Sequence, residues 1–325
     1  MGRTEDLASD RYTQVQNVSR SVVQAVQGLW RDVPADRILS AMSGETGRQI
    51  LNAVTLGQLS AAEGAQAFVS ASMLAQGAGF GALGSLDASA FAGLASDGRP
   101  LATLLQMPAI TTAQSLAAGE SAEVAALRGL TQMSTMVGTQ IADTARAATS
   151  VAMAAEPSCV SYVRVVRLPA CARCIILAGR QYSRSRGFQR HPRCDCGMQP
   201  MSDTEWRASH SPEDLVRQMS PEEQRRRIGA AGVKALEAGA DLGQLVNARR
   251  GMSTATVHGK RVQVTSEGTT RRGIGGRALD AGFQRQAGQR YARTTAPRLM
   301  PEEILRLSDD REHQIRLLRK HGYIT

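Results

Sequence analysis

Residues 121–155 read SAEVAALRGLTQMSTMVGTQIADTARAATSVAMAA, and this stretch decides the fold class. Apolar side chains recur along it every three or four positions, which is the spacing of one face of an α-helix. Ser121 is a good N-cap, because its hydroxyl can accept a hydrogen bond from an amide of the first turn. Pro157 cannot continue a helix and sets the far limit. The sequence therefore predicts one long helix that begins after Ser121 and ends before Pro157.

Similar patterns on both sides of this stretch predict further helices. Amphipathic helices are expected at residues 10–30 and from residue 34 into the fifties, where Gly44 and Gly47 are candidate breaks. The other predicted helices have a capping residue or a proline at their start, and these starts are Ser202, Ser220, Pro301 and Asp309.

The composition also favours helices. The chain has 325 residues and 31 glycines, but aromatic residues make up only 4% of it, so the core is built from small side chains. Such a core favours closely packed helices over an aromatic-rich β-sandwich, and the composition excludes collagen, a highly charged disordered chain and a secreted disulfide scaffold. We expect a mainly α fold with a small α+β zinc-stabilised module and a flexible basic C-terminal region.

Three regions are predicted along the chain. An Ala-rich helical domain covers residues 1–120 and has a Gly-rich hinge near 77–100. The long helix and a Cys/His module occupy residues 121–205, and a basic region of helices and loops occupies residues 206–325.

Within the last region, residues 257–262 predict a small β-hairpin or exposed ribbon. The stretch TTRRGIGGR at residues 269–277 predicts a mobile basic loop.

Charge is unevenly distributed. Residues 1–150 carry a net charge of −3 and the rest of the chain carries +13, which together give the total of +10. Guanidinium groups bind phosphate bidentately, so the basic half predicts an anionic partner. Codon bias is the alternative, because the arginine excess comes with only three lysines.

The first residues, MGRTEDLASDRYTQ, lack the apolar core of a signal peptide, which predicts a reducing, cytoplasmic environment. The uncharged stretch at 64–86 is too polar to favour a bilayer span, so we expect no membrane partner.

Four cysteines and one histidine fall within 26 residues, in the pattern C-x2-C-x16-H-x2-C-x-C. A tetrahedral Zn²⁺ needs four such ligands, and two short clusters joined by a loop supply them. The candidate ligands are Cys171, Cys174, His191, Cys194 and Cys196. Cys171 and Cys174 are expected to be ligands, and the other three compete for the remaining two positions. A full set of protein ligands leaves no open position, so the zinc is expected to be structural rather than catalytic.

A site of four cysteines is favoured, and His191 would then donate a hydrogen bond to a thiolate or contact a phosphate. Disulfides and thiols without metal are the alternatives to a zinc site. Cys159 lies outside the cluster, and we expect it to be a small packed side chain.

The same window is strongly basic. Eight arginines and no acidic residue lie between Arg164 and Arg193, with Tyr182 and Phe188 interleaved. A loop that is held by zinc and carries arginines can bind the phosphate backbone of a nucleic acid without base-specific contacts. The predicted nucleic-acid contacts are Arg173, Arg180, Arg184, Arg186, Arg190 and Arg193. A solvated face, or a face that meets an acidic protein, is the alternative.

Three sequence runs in this window resemble a bacteriophage family. They are YVRVV at 162–166, CARCIILAGRQY at 171–182 and GFQRHPRCDCGMQP at 187–200. Together they resemble the C-terminal signature of the Mu F-type minor head proteins, also called head morphogenesis proteins, of tailed bacteriophages, and most of all the versions from phages of actinobacteria. The resemblance covers about residues 125–205, and it includes a preceding Ala-rich helix with Asp143 and Arg146.

This resemblance implies a component of the virion or procapsid. The chain would be present in few copies in the capsid interior, with the portal and major capsid proteins and packaged double-stranded DNA as partners, and in the host cytoplasm during assembly. The family's Cys/His signature maps onto the five candidate ligands named above.

Two other functions are compatible with the sequence. Many relatives are labelled capsid maturation proteases, so a protease that acts on the capsid precursor is the second hypothesis. The sequence has no G-x-S-x-G elbow or HExxH helix, and no catalytic residues are predicted. A stand-alone zinc-dependent nucleic-acid-binding protein is the third hypothesis.

Overall fold

The structure is a computed structural model, and it describes residues 2–188, 190–203, 211–257, 260–267, 283–284, 293–308 and 310–324. Within these residues the fold is mainly helical with two small sheets, which confirms the predicted mainly α class. The helix predicted after Ser202 and the basic loop predicted at 269–277 lie outside the described residues.

The chain divides into two compact units. The first takes in Met1–Arg167 and Gly179–Ala208, and the second takes in Leu168–Ala178 and Ser209–Thr325. The boundaries of the three regions proposed from the sequence remain a prediction.

The helices of the first unit pack around one long central helix. Their bounds are α1 (Arg3–Arg31), α2 (Ile38–Ser43), α3 (Glu45–Ala62), α4 (Ala65–Ala75), α5 (Leu101–Leu105), α6 (Met107–Ala117) and α7 (Ala122–Ala155). Ser121 is the N-cap of α7, and its hydroxyl accepts a hydrogen bond from the Val124 amide, as the sequence predicts. Helices α1, α3, α4 and α6 pack on α7. Buried side chains of these helices, such as Trp30, Val54 and Ile141, form the core.

One of the two candidate breaks predicted for this region is confirmed, and the other is not. The helix expected from residue 34 into the fifties is interrupted at Gly44, which separates α2 from α3. Gly47, the other candidate break, lies inside α3.

The Gly-rich segment at 77–100 has little regular structure apart from a 3-10 turn at Ala88–Phe91. Two glutamine side chains hold it by bonds to its backbone. Gln58 donates to the Leu94 carbonyl and accepts from the Gly93 amide, while Gln66 donates to the Gly84 carbonyl. Its role as a hinge remains a prediction.

Two glycines of α7 differ in the space around them. A Cβ at Gly129 would lie 2.0 Å from Thr112 Oγ1, 2.6 Å from Trp30 Cζ2 and 2.9 Å from the Pro108 carbonyl oxygen. The nearest atom to a Cβ at Gly138 is Ser19 Oγ at 3.5 Å, an ordinary contact. Close packing of α1 and α6 on α7 therefore depends on Gly129.

This difference predicts opposite effects for two matched substitutions. Gly129→Ala is expected to destabilise the chain by about 1–3 kcal/mol through overpacking. Gly138→Ala is expected to stabilise it by about 0.5–1 kcal/mol, since alanine has the higher helix propensity. Urea denaturation of the two variants and the parent chain measures both values. Effects of the same sign would contradict this description of the packing.

A three-stranded antiparallel sheet completes the first unit. Its strands are β1 (Ser161–Val165), β2 (Gln181–Ser183) and β3 (Gly197–Met201), in the order β2-β1-β3. Strand β1 follows α7, and Cys194 and Cys196 directly precede β3. The sheet therefore places the second half of the Cys/His pattern beside β1.

In its described residues, the second unit combines short helices with a four-stranded sheet. Its helices are α8 (Ala172–Ile175), α9 (Pro212–Arg217), α10 (Pro221–Ile228), α11 (Ala230–Glu237), α12 (Leu242–Ala248), α13 (Pro301–Leu307) and α14 (Arg311–Lys320). Its strands are β4 (Met252–Val257), β5 (Lys260–Glu267), β6 (Phe283–Gln284) and β7 (Arg293–Leu299), in the order β4-β5-β7-β6.

Most of the local predictions in this unit are confirmed. Ser220 caps α10, Pro301 begins α13, and α14 follows the N-cap Asp310. Strands β4 and β5 pair antiparallel, with Val257 opposite Lys260, as the hairpin prediction requires. Among the described helices, none combines the length and the hydropathy that a membrane crossing needs.

Candidate metal centre

The five predicted ligands lie close to one another. Cys174, Cys194 and Cys196 are buried, and Cys171 and His191 are half-buried. The sulfur atoms of Cys174, Cys194 and Cys196 all lie within 4.8 Å of one another, and so do the ligand atoms of Cys171, Cys174 and His191. In a tetrahedral zinc site with Zn–S bonds of about 2.3 Å, neighbouring sulfurs are about 3.8 Å apart. The donor types and their spacing fit such an ion, so these groups can hold a metal.

Cys174 belongs to both groups, and the local structure explains its position. Cys171 is the N-cap of α8, and its sulfur accepts a hydrogen bond from the Cys174 amide at 3.4 Å. One turn of helix therefore presents both members of the C-x2-C pair. His191 lies with the C-x2-C pair, and Cys194 and Cys196 lie with Cys174, so the described residues form two groups of three that share Cys174.

Cys159 behaves as expected for a residue outside the cluster. Its side chain is fully buried, and its thiol donates to the Ser161 carbonyl. Burial raises the pKa of the Cys159 thiol to about 11. This residue is therefore an inert packed thiol.

Arg164 is a buried cation beside the second pair of cysteines. Its side chain is 2% exposed, and its Nη2 lies 3.6 Å from Cys194 Sγ and 3.4 Å from Cys196 Sγ. The guanidinium stacks over the Phe188 ring, 4.3 Å from its centroid. The sequence interpretation counted Arg164 among the basic residues but did not place it at the site. An arginine in the middle of the apolar run at 162–166 was the signal for it.

Helix α7 also contacts the cysteine segment. Arg146 pairs with Asp143 one turn earlier and donates to the Cys196 carbonyl at 2.9 Å. Both side chains are buried. Arg190 Nη1 lies 2.8 Å from Asp143 Oδ1, so this predicted nucleic-acid contact also forms an internal ion pair.

Tyr12 of α1 holds the residue between the last two cysteines. Its hydroxyl donates to Asp195 Oδ2 at 2.7 Å. Burial raises the pKa of the Asp195 carboxyl, and burial together with the Asp195 bond raises the pKa of Tyr12. Both the tyrosine and the α7 contacts thus fix the Cys194–Cys196 segment from outside the sequence motif.

The six predicted nucleic-acid contacts, Arg173, Arg180, Arg184, Arg186, Arg190 and Arg193, are all exposed. Some of them are also anchored internally. Arg184 Nη1 donates to the Cys159 carbonyl at 3.1 Å, and Arg193 Nε donates to Thr135 Oγ1 at 2.9 Å. The Arg180 guanidinium lies over the Tyr182 ring. A guanidinium has five N–H donors, so one internal bond leaves it able to contact a phosphate.

A protein-family model described as VG15 protein matches residues 101–221 of this chain. This is a viral family of bacteriophages, and the match supports a bacteriophage protein. The matched stretch includes α7, the three-stranded sheet and all five candidate metal ligands. No curated protein and no solved structure matches the chain.

Proposed function

We propose that this chain is a minor capsid protein, or head morphogenesis protein, of a tailed bacteriophage. The observation that carries the proposal is that the stretch matched by a phage family includes the Cys/His residues that resemble the signature of the Mu F-type proteins. The proposed location is the capsid interior, near the portal, the major capsid protein and the packaged DNA.

In this proposal the Cys/His cluster holds a structural Zn²⁺. The ligands are Cys174 and three of the residues Cys171, His191, Cys194 and Cys196. Because protein atoms fill every coordination position, the ion stabilises the fold and does not activate water.

The exposed arginines around residues 180–193 form the surface that faces DNA. No acidic residue interrupts the sequence from Ser158 to Cys194, so the local field is positive. Contacts of this kind go to phosphates and do not select a base sequence.

Mass spectrometry of purified virions and procapsids of the encoding phage tests the proposal. We expect the chain in both particles at low copy number. Absence from both particles would overturn the proposal. Presence in procapsids followed by loss from virions would contradict it and favour the maturation protease.

The DNA-facing surface makes a separate prediction. Replacing Arg180 and Arg186 by alanine is expected to weaken binding of duplex DNA, because each contributes a guanidinium to the basic surface. The salt dependence should also fall, by about 0.9 in the slope of log K against log salt for each phosphate that the variant no longer neutralises. Titration of labelled DNA at several salt concentrations measures both quantities.

A matched control uses Arg20 and Arg31, two exposed arginines of α1. Their replacement by alanine removes the same charge and should leave the salt slope unchanged. Equal losses in the two double variants would assign the binding to net charge and not to this surface.

A further inference from the structure

Arg164 is held in the fold at a fixed position relative to the C-x-C pair. It lies in the centre of the sheet on β1, where its partner in the antiparallel register is Met198 of β3, two residues after Cys196. Pairing of β1 with β3 therefore aligns the guanidinium with the two sulfurs. The ring of Phe188, itself buried, covers the guanidinium face.

The burial of this charge has to be compensated. A guanidinium removed from water is stabilised by hydrogen bonds from its N–H groups, and an anion accepts such bonds more strongly than a neutral group does. The sulfurs of Cys194 and Cys196 both lie within hydrogen-bond distance of its Nη2. A neutral thiol is a weak acceptor, whereas a thiolate is an anion and the form that binds a metal.

We propose that Arg164 is the positioning residue of the metal centre, which neutralises and orients the thiolates of Cys194 and Cys196 so that both are metal ligands. This inference rests on the proposed zinc site and specifies part of its ligand set. A divalent ion with three or four thiolates carries a net charge of −1 or −2, and one buried guanidinium offsets one unit of it. With Cys194 and Cys196 as ligands beside Cys174, the fourth ligand comes from Cys171 or His191, which both group with Cys174.

The first test measures metal affinity of the full-length chain by competition with a chromogenic zinc chelator. Replacing a group that orients metal ligands typically costs 10–100-fold in affinity, and we expect a loss of this size for Arg164→Met. Arg164→Lys keeps the positive charge but lacks the planar guanidinium with its several N–H donors, so a smaller loss of zinc affinity is expected.

Arg298→Met is the matched control. Arg298 is also a buried arginine stacked on an aromatic ring, Tyr323, but it donates to the His321 carbonyl and not to a thiolate. Its replacement should leave the zinc affinity unchanged. If Arg164→Met and Arg164→Lys both stay folded by circular dichroism and bind zinc as tightly as the parent chain, the proposal is overturned.

A second measurement does not depend on the folding of an Arg164 variant. In the cobalt-substituted chain, thiolate-to-cobalt absorption increases with the number of sulfur ligands. Cys194→Ser and Cys196→Ser should each reduce this absorption, and His191→Ala should leave it unchanged. Reduced absorption in His191→Ala together with full absorption in either serine variant would overturn the ligand set.

Metal binding by the parent chain distinguishes failure of the proposed metal centre from failure of the proposed role of Arg164. If it binds neither zinc nor cobalt, the proposed metal centre fails, and the role of Arg164 fails with it. If it binds zinc but the Arg164 variants bind equally well, the zinc site stands and only the role of Arg164 fails.

Discussion

Cys174→Ser is expected to abolish zinc binding and to give the largest loss of stability among the single cysteine variants. Cys174 is the residue that both candidate ligand groups share, and its side chain is buried. A serine hydroxyl does not replace a thiolate as a zinc ligand, and the remaining thiolates would be left close together without a cation. Structural zinc contributes about 10–16 kcal/mol in small zinc modules, so its loss exceeds what ordinary packing can offset. Zinc content by atomic emission and thermal melting with and without chelator measure the effect.

Cys159→Ser is the matched control, because Cys159 is equally buried but lies outside the cluster. It should retain one zinc per chain, and its melting should remain sensitive to chelator. A Cys174→Ser protein that retains stoichiometric zinc would contradict the structural account of the site. If both variants lose zinc, the loss in Cys174→Ser comes from general destabilisation of the chain and not from removal of a ligand.

The helices were predictable because their signals are local. The apolar spacing after Ser121 and the cap at that residue define α7 within one stretch of chain. Gly47 shows the limit of the same reasoning, since it was a candidate break and lies inside α3. The capping box at Ser211, which begins α9, is also local but was not identified.

The sequence identified the Cys and His residues that come together at the candidate site, but not the residues that surround them. Spacing identified the five Cys and His residues, because short loops between ligands bring them together in almost any fold. The contacts of Arg164 with the sulfurs depend on strand pairing. The ion pair of Arg190 with Asp143 joins residues far apart in sequence. The apolar run around Arg164 marks that residue as unusual, but the partner in neither contact can be read from the sequence, so each required the tertiary structure.

Asp143→Asn is expected to destabilise the chain by about 3–5 kcal/mol, the usual cost of breaking a buried ion pair from one side. Asp143 is the carboxylate that pairs with Arg146 and Arg190, and the substitution leaves the buried Arg146 guanidinium without this anion. Arg146 also donates to the Cys196 carbonyl, so the loss should extend from α7 to the cysteine segment. Urea denaturation of the zinc-loaded chain measures the change in free energy.

Glu45→Gln is the control for removal of a carboxylate from an exposed pair. Glu45 and its partner Arg48 lie at the same i,i+3 spacing as Asp143 and Arg146, but their side chains are 64% and 69% exposed. Exposed pairs contribute little, so this variant should unfold at the same urea concentration as the parent chain. An equally small effect of Asp143→Asn would mean that solvent reaches Arg146 and compensates its charge. In that case the zinc affinity of Asp143→Asn shows whether α7 still holds the cysteine segment. If the Arg146 bond to the Cys196 carbonyl is lost, the affinity for zinc should fall even where the free energy of unfolding is unchanged.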